Sequence, residues 1–155
     1  MRTAITGSTP LVDSLLSVRY ALYSEYIPNT DLVNYIQESG GTYLYENLYT
    51  LPLGFVLPYD LADNWQYQME NPAEVQNDLC LLLGTDDVLV PVETEVSGSG
   101  CTFTADMAGE YYVYIQNKKV KNVKASLPSG EKNFSNVDRG YLLEMGNLSE
   151  GAGSP

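Results

Sequence analysis

The strongest apolar pattern in the chain predicts a helix near its middle. The large apolar residues there recur at the spacing of one helical face, namely Val75, Leu79, Leu82 and Leu83. Asn71 suits the N-cap, Pro72 suits the first helical position, and Glu74 stands where a capping box places an acid. Gly84 then ends the helix, because glycine readily adopts the left-handed conformation that closes a last turn.

Two shorter helices are predicted from cap signals. Thr9 before Pro10 predicts a short helix directly after it, because a hydroxyl cap followed by proline is a favourable helix start. The polar residues 29–31 offer a cap for another short helix over residues 32–38, which Gly40-Gly41 would close.

Elsewhere β-branched and aromatic residues are frequent and the apolar period is often two, which predicts strands. The predicted strands cover residues 18–23, 42–49, 51–58, 88–92, 101–105, 110–116, 120–127 and 141–145. Residues 59–70 are polar and predict a loop, and residues 97–100 predict a turn. Several short strands at close spacing in the second half are typical of an antiparallel sandwich.

These elements predict an α+β fold that is mainly β. Residues 1–92 are expected to form a mixed part with short helices packed on a mixed sheet. Residues 93–155 are expected to form a strand-rich part resembling an antiparallel β-sandwich, and the two parts share one core. Residues 151–155 indicate a linker or a chain end.

The predicted core joins the central helix to one of the strands. The apolar face that contains Leu79 and Leu82 is expected to pack on a sheet that contains Leu53, Phe55 and Val56. Because burial of a large apolar side chain contributes about 1.5–3 kcal/mol, this contact would be a main source of stability.

The composition excludes several function classes. The chain of 155 residues has 20 acidic and 8 basic residues and a formal net charge of −12. That charge repels nucleic-acid backbones and anionic headgroups, so no nucleic-acid partner is predicted. Histidine is absent, which removes the commonest general base and a common metal ligand. No catalytic residue, metal ligand or cofactor is therefore predicted, and the chain is not expected to be an enzyme.

Three other chemistries stay open from the residues alone. A pair of carboxylates could support glycoside hydrolysis, although nothing marks two of the 20 acids. Cys80 and Cys101 lie far apart and could form one disulfide or remain two small buried apolar side chains. Oxygen ligands for calcium could come from four aspartates, although their spacing is not that of an EF-hand loop: Asp60, Asp63, Asp86 and Asp87.

Tyrosine is the most informative residue type, since the chain has 13 tyrosines against 3 phenylalanines and 1 tryptophan. A tyrosine ring combines apolar area with a hydroxyl, which suits contact with a sugar or a protein. The alternative is that the rings line the edge of the core with their hydroxyls in water. The candidate contact residues lie on two predicted strands, Tyr43, Tyr45 and Tyr49 on one face of the first and Tyr111, Tyr112 and Tyr114 on the second.

Three stretches carry a resemblance to a known family by their order and spacing. They are Leu-Leu-Ser-Val-Arg-Tyr at 15–20, Leu-Tyr-Glu-Asn at 44–47 leading into Leu-Pro-Leu-Gly-Phe at 51–55, and Asn-Pro-Ala-Glu-Val-Gln-Asn-Asp-Leu at 71–79. Together they resemble the bacterial membrane protein YfhO family, well over residues 11–92 and loosely beyond. One departure is Ala73, where the helix of that family usually carries an aromatic residue.

The resemblance implies a soluble extracytoplasmic region near the C-terminal end of a polytopic protein with a glycosyltransferase C-type membrane core. Such proteins are associated with sugar transfer from lipid carriers to wall polymers such as lipoteichoic acid. No position here matches their catalytic acids, so no catalytic residue is carried over. The chain would then be a piece of a longer protein.

These inferences lead to one expected function and one alternative. We expect a non-catalytic domain on the extracytoplasmic side of the cell membrane that positions or recognises a glycan or wall polymer. Its partners would be that polymer and the rest of its own membrane-embedded chain. The alternative is a purely structural or protein–protein interaction domain of a membrane protein.

Overall fold

A computed structural model describes residues 7–153 of the chain. The helices are α1 (Pro10–Leu15), α2 (Leu61–Asn64) and α3 (Pro72–Leu82), with a 3-10 helix at Val137–Arg139. The strands are β1 (Tyr20–Tyr23), β2 (Val33–Ser39), β3 (Thr42–Asn47), β4 (Thr94–Ser97), β5 (Gly100–Phe103), β6 (Gly109–Val113), β7 (Asn122–Leu127), β8 (Gly130–Ser135) and β9 (Leu143–Leu148). Strands predominate over a few short helices, which confirms the predicted α+β, mainly β class.

The chain divides into two compact units. The N-terminal unit is Ser8–Tyr59, and the C-terminal unit takes in the described residues from Asp60 onward together with Gly7. The boundary expected near residue 93 therefore lies inside the C-terminal unit. Val92 packs against the core formed by the later strands, which ties the segment before β4 to them.

The N-terminal unit is built on a three-stranded sheet in the order β1-β3-β2. Both strand pairs are antiparallel, so the sheet is not the mixed sheet that was predicted. Tyr45 lies on the central strand opposite Ala21 of β1 and Tyr35 of β2, and its side chain is fully buried. This ring is therefore the centre of the unit.

Residues 32–38 form most of β2, and the helix predicted there is wrong. Asn29, which was expected to belong to a helix cap, accepts the backbone amide of Tyr35 at 2.7 Å through its side-chain oxygen. Gly40 and Gly41 have φ angles of 59° and 76°, the positive values that a two-residue type I′ hairpin turn requires at both positions. The glycine pair therefore joins two antiparallel strands and does not close a helix.

Residues 51–58 form no strand, which corrects a second prediction. Leu53 and Val56 are 94% and 97% exposed, and Phe55 is also exposed. The segment contains two prolines, which have no amide hydrogen to donate to a neighbouring strand. The strand that was expected to receive the apolar face of α3 is therefore absent.

Two of the three predicted N-terminal caps are confirmed. The Thr9 side chain accepts the amide of Val12 at the start of α1, and Asn71 accepts the amide of Ala73 at the start of α3. Asn71 also donates from Nδ2 to Oε1 of Glu74 at 3.1 Å. Each helix has proline in its first turn, so local sequence alone determines where both helices begin.

Helix α3 ends as predicted but buries only part of its predicted face. Gly84, with φ at 78°, follows the last turn. Leu79 is 5% exposed and Cys80 is 3% exposed, whereas Leu82 is only half-buried. The buried side of the helix is therefore centred on Leu79.

The other six strands pair as three two-stranded antiparallel ribbons, β4–β5, β6–β9 and β7–β8. The sandwich-like part thus consists of separate ribbons around one core. The strand β8 was not predicted, because its polar residues alternate with few apolar ones. Residues 88–92, predicted as a strand, are irregular. The side chain of Asn77 in α3 takes the place of a neighbouring strand for Leu89, since it donates to the Leu89 carbonyl at 2.7 Å and accepts its amide at 3.0 Å.

The core of the C-terminal unit lies among these ribbons. Its buried members are Ala105, Tyr111, Leu127, Val137, Leu143, Met145 and Leu148. Residues 151–153, expected to be a linker, are bonded to this core, since the Ala105 amide donates to the Ala152 carbonyl at 2.7 Å. Residues 154–155 lie outside the described part of the chain.

Replacing Leu143 with alanine is expected to lower the free energy of unfolding by about 2–5 kcal/mol, because its fully buried side chain would leave a cavity. Urea denaturation followed by circular dichroism measures the change. Leu81→Ala is the matched control, since Leu81 is 69% exposed and its truncation should change the free energy by less than about 0.5 kcal/mol. Similar losses for both variants would contradict this assignment of the core.

Candidate functional site

Five of the eight tyrosines in the N-terminal unit form one cluster around Tyr45. Each ring packs edge-on against a neighbour, with centroid distances between 5.3 and 5.9 Å. The tyrosine cluster consists of Tyr23, Tyr26, Tyr35, Tyr43 and Tyr45. Edge-to-face packing stabilises such pairs by about 0.5–1.5 kcal/mol beyond the area buried, so the cluster acts as the core of this unit.

The predicted contact residues of this unit divide between core and surface. Tyr45 is fully buried, and its hydroxyl both donates to the carbonyl of Ile27 and accepts its amide, each at 2.7 Å. Tyr43 is half-buried within the cluster. Tyr49 lies beyond the end of β3 and is 60% exposed, so it does not share a strand face with the other two.

The predicted tyrosines of the C-terminal unit have bonded hydroxyls. Tyr111 is 9% exposed and stacks on Phe103, and its hydroxyl donates to the Met107 carbonyl at 2.8 Å and lies 3.0 Å from a carboxylate oxygen of Asp106. A tyrosine near the start of a strand that bonds the backbone just upstream resembles the tyrosine corner of β-sandwich domains. Tyr112 donates to Oε2 of Glu110 at 2.8 Å. Tyr111 therefore serves the fold.

The Tyr114 hydroxyl leads to a site that the sequence analysis missed. It donates to the carbonyl of Glu70 at 2.8 Å and accepts a hydrogen bond from Nζ of Lys118 at 3.1 Å. Glu70 directly follows residues 65–69, Trp-Gln-Tyr-Gln-Met, which we call the aromatic loop. The loop lies in a stretch that the sequence predicted only as polar and irregular.

Helix α3 holds the other end of the aromatic loop. The indole Nε1 of Trp65 donates to the carbonyl of Val75 at 3.0 Å, and the amide of Gln66 donates to Oδ2 of Asp78 at 2.8 Å. Val75 and Asp78 are one helical turn apart and so lie on the same side of the helix. The loop is therefore fixed at both ends, by α3 and by the residue that follows β6.

The aromatic loop lines an open depression of about 390 Å³. The rings of Trp65 and Tyr67 lie 6.0 Å apart at 58°, and Tyr67 is 58% exposed. Gln68 donates from Nε2 to the Tyr67 hydroxyl at 3.3 Å. Two aromatic rings beside two primary amides offer both apolar faces and hydrogen-bonding groups to a ligand.

The loop is uncharged although acidic residues flank it. Residues 65–69 have no ionisable acid or base other than the tyrosine hydroxyl, whereas Asp63 and Glu70 stand just outside it. A cationic ligand would find no carboxylate on the loop itself, and an anionic one would meet the acidic surroundings. The arrangement favours a neutral polar ligand with an apolar face.

The described residues offer no metal centre. Among residues 7–153, no three histidine, cysteine, aspartate or glutamate side chains come together as a metal-binding group. The calcium site that the sequence left open is therefore not assembled from its four aspartates, Asp60, Asp63, Asp86 and Asp87. Cys80 is buried and Cys101 is exposed, and both are free thiols, so the disulfide does not form.

One signal in the sequence pointed to the aromatic loop. Trp65 is the single tryptophan of the chain, and it lies two residues from Tyr67 with a glutamine after each. Tyrosines on strands could be predicted as a group because they alternate along the sequence. An aromatic pair on an irregular loop has no such alternation. Only the hydrogen bonds to α3 and to Tyr114 show that this loop is fixed.

The comparisons with known proteins identify no relative. No family model, curated protein or solved structure matches the chain. No helix of residues 7–153 has both the length and the apolar character that crossing a membrane requires.

Tyr111→Phe is expected to lower the free energy of unfolding by about 1–3 kcal/mol, because it leaves the backbone of Met107 without its buried partner. Tyr59→Phe, at a fully exposed position, is the control and should leave stability unchanged. Denaturant unfolding of the two variants measures the difference. If Tyr111→Phe were as stable as the control, the tyrosine-corner bond would not contribute to the fold.

Proposed function

We propose that this chain is a non-catalytic recognition domain that binds a neutral glycan on the aromatic loop. The observation that carries the proposal is the pair of rings, Trp65 and Tyr67, beside the amides of Gln66 and Gln68. The carbon–hydrogen faces of a sugar ring pack on aromatic rings, and its hydroxyls both donate to and accept from amides. The loop supplies both kinds of contact.

The net charge of the chain restricts the classes of ligand that can bind. With a net charge of −12, the protein repels a polymer of phosphodiesters, so the sugar residues of a wall polymer fit the site better than its anionic backbone. A lipid-linked sugar would be recognised in the same way, through its sugar. Binding through neutral groups should depend only weakly on salt, because few counterions are released.

The wider setting of the proposal comes from the resemblance to the YfhO family. On that basis the domain lies on the extracytoplasmic side of a cell membrane, as a region of a multispanning protein with a glycosyltransferase C-type core. It would position a glycan or wall polymer for an activity located elsewhere in that protein. The absence of histidine from the chain agrees with a role in recognition.

A purely structural role is the second candidate, and one observation favours it. Tyr45, Tyr111 and Tyr114, three of the six tyrosines predicted to contact a ligand, bond the backbone of neighbouring loops. Tyrosines used in this way serve the fold without any ligand. The two candidates differ in one measurable property, since only the first requires the chain to bind a sugar.

The proposal predicts a glycan titration in which Tyr67→Ala weakens binding about tenfold or more, because the substitution removes the more exposed ring. A panel of neutral oligosaccharides and glycosylated wall-polymer fragments is titrated and followed by the emission of Trp65 and by calorimetry. Tyr59→Ala, at a fully exposed tyrosine outside the loop, is the control and should bind like the natural chain.

Two results of this titration would contradict the proposal. One is the absence of binding by the natural chain across the whole panel, which would favour the structural role. The other is binding that Tyr67→Ala leaves unchanged, which would place the glycan away from the aromatic loop. Circular dichroism of the variant verifies that the fold is retained.

A further inference from the structure

The N-terminal unit exposes an unusual amount of apolar surface. Thirteen of the nineteen exposed large hydrophobic side chains of residues 7–153 belong to it, although it is the smaller unit. Its single buried hydrophobic residue among those described is Tyr45. Where such exposed apolar side chains lie together, they mark a site of contact with another protein or with a membrane.

This surface is concentrated in residues 48–59, which we call the uncharged segment. It runs Leu-Tyr-Thr-Leu-Pro-Leu-Gly-Phe-Val-Leu-Pro-Tyr and has no acidic or basic residue, in a chain with 28 of them. Leu53 and Val56 in its middle are 94% and 97% exposed. Phe55 and Leu57 beside them are 39% and 41% exposed, so the apolar side chains are presented together along the chain.

The backbone of the segment limits how deeply it can enter a bilayer. Residues 51–58 lie in no helix or strand, so their backbone polar groups need water or headgroups as partners and the segment can reach only the boundary region. Prolines at positions 52 and 58 have no amide hydrogen, which removes two of the groups that would need a partner. Tyr49 and Tyr59 flank the apolar stretch and are 60% and 101% exposed. Tyrosine is enriched where one end of a side chain is apolar and the other is in water, as at a membrane surface.

The lack of charge in the segment favours a lipid over a protein as its binding partner. Protein interfaces usually surround their apolar centre with a polar rim, and charged residues there help to select the partner. A bilayer interior requires the opposite, because a charged side chain is costly to place in hydrocarbon. Twelve residues without one charge meet that requirement, yet they are too few to span a bilayer, which takes about 20.

We propose that the uncharged segment inserts into one face of a lipid bilayer and holds the N-terminal unit at the membrane surface. Leu53, Phe55, Val56 and Leu57 enter the boundary between headgroups and acyl chains, and Tyr49 and Tyr59 lie at the headgroups. Because the chain has a net charge of −12, the favoured surface is zwitterionic or neutral and not anionic. This proposal is independent of the glycan site, which belongs to the C-terminal unit.

The experiment is flotation of the full chain with phosphatidylcholine vesicles. The natural chain is expected to float with the lipid. The affinity of L53N/V56N for the vesicles is expected to be at least about tenfold lower, because both apolar side chains are replaced by amides. Both positions are almost fully exposed, so the double variant should fold normally. L81N/V90N is the matched control, since those residues are 69% and 73% exposed in the C-terminal unit, and it should bind like the natural chain.

A second comparison uses vesicles that contain phosphatidylglycerol. Binding to them should be weaker than to phosphatidylcholine and should increase as salt is raised from about 0.05 M to about 0.5 M, because salt screens the repulsion between acidic protein and anionic lipid. A segment that bound through lysine and arginine would show the reverse dependence on salt. This arm therefore tests insertion by apolar side chains separately from electrostatic attachment.

Three outcomes would overturn the membrane proposal. They are the absence of flotation by the natural chain on both lipids, equal binding by L53N/V56N, and equal losses in L53N/V56N and L81N/V90N. Self-association of the natural chain that L53N/V56N abolishes, found in place of vesicle binding, would instead assign the segment to a second copy of the chain. None of these results bears on the sugar titration, so the two proposals can fail separately.

Discussion

In both units a tyrosine ring on a strand packs among other apolar groups while its hydroxyl bonds the main chain of a loop. Tyr45 holds the backbone of Ile27 in this way, and Tyr111 holds that of Met107. These hydroxyls bond the loops at residues 24–32 and 104–108, whose backbone polar groups need partners wherever they are buried. At Tyr45 and Tyr111 a phenylalanine would supply the same apolar area but would leave those backbone groups unpaired.

The same interaction gives the aromatic loop its shape. Tyr114 bonds the carbonyl of Glu70 at one end, while Trp65 and Gln66 bond α3 at the other. A loop fixed at both ends loses little further conformational freedom when it binds a ligand, and that improves affinity without new contacts. The side chains that fix the loop are distinct from the exposed ring of Tyr67, so the loop can be stable and still present an aromatic surface.

Charge separates the surface of the protein into two kinds. Its 20 acidic residues outnumber its 8 basic ones, which keeps the chain well solvated and repels anionic polymers and lipids. The aromatic loop and residues 48–59 are uncharged interruptions in this surface, and they lie in different units. A neutral ligand and a hydrocarbon layer are the kinds of partner that such interruptions accept, since neither needs an opposite charge.

The sequence alone determined the helix starts at Thr9 and Asn71, the end of α3 at Gly84 and the mainly β class, because caps, prolines and terminal glycines act within a few residues of the chain. It did not determine the state of residues 32–38 or of residues 88–92. There, side-chain amides from outside each segment, Asn29 and Asn77, bond its backbone in contacts that the pattern of apolar residues does not record.

The candidate site shows more clearly what could not be predicted from the sequence. The sequence identified tyrosines with the right chemistry, but only the tertiary structure decided that Tyr45 and Tyr111 are buried supports and that Tyr67 is an exposed surface. Composition states which groups the chain possesses, whereas burial and hydrogen bonding decide which of them remain available to a partner. Those two properties depend on contacts between residues far apart in the chain, which no local pattern records.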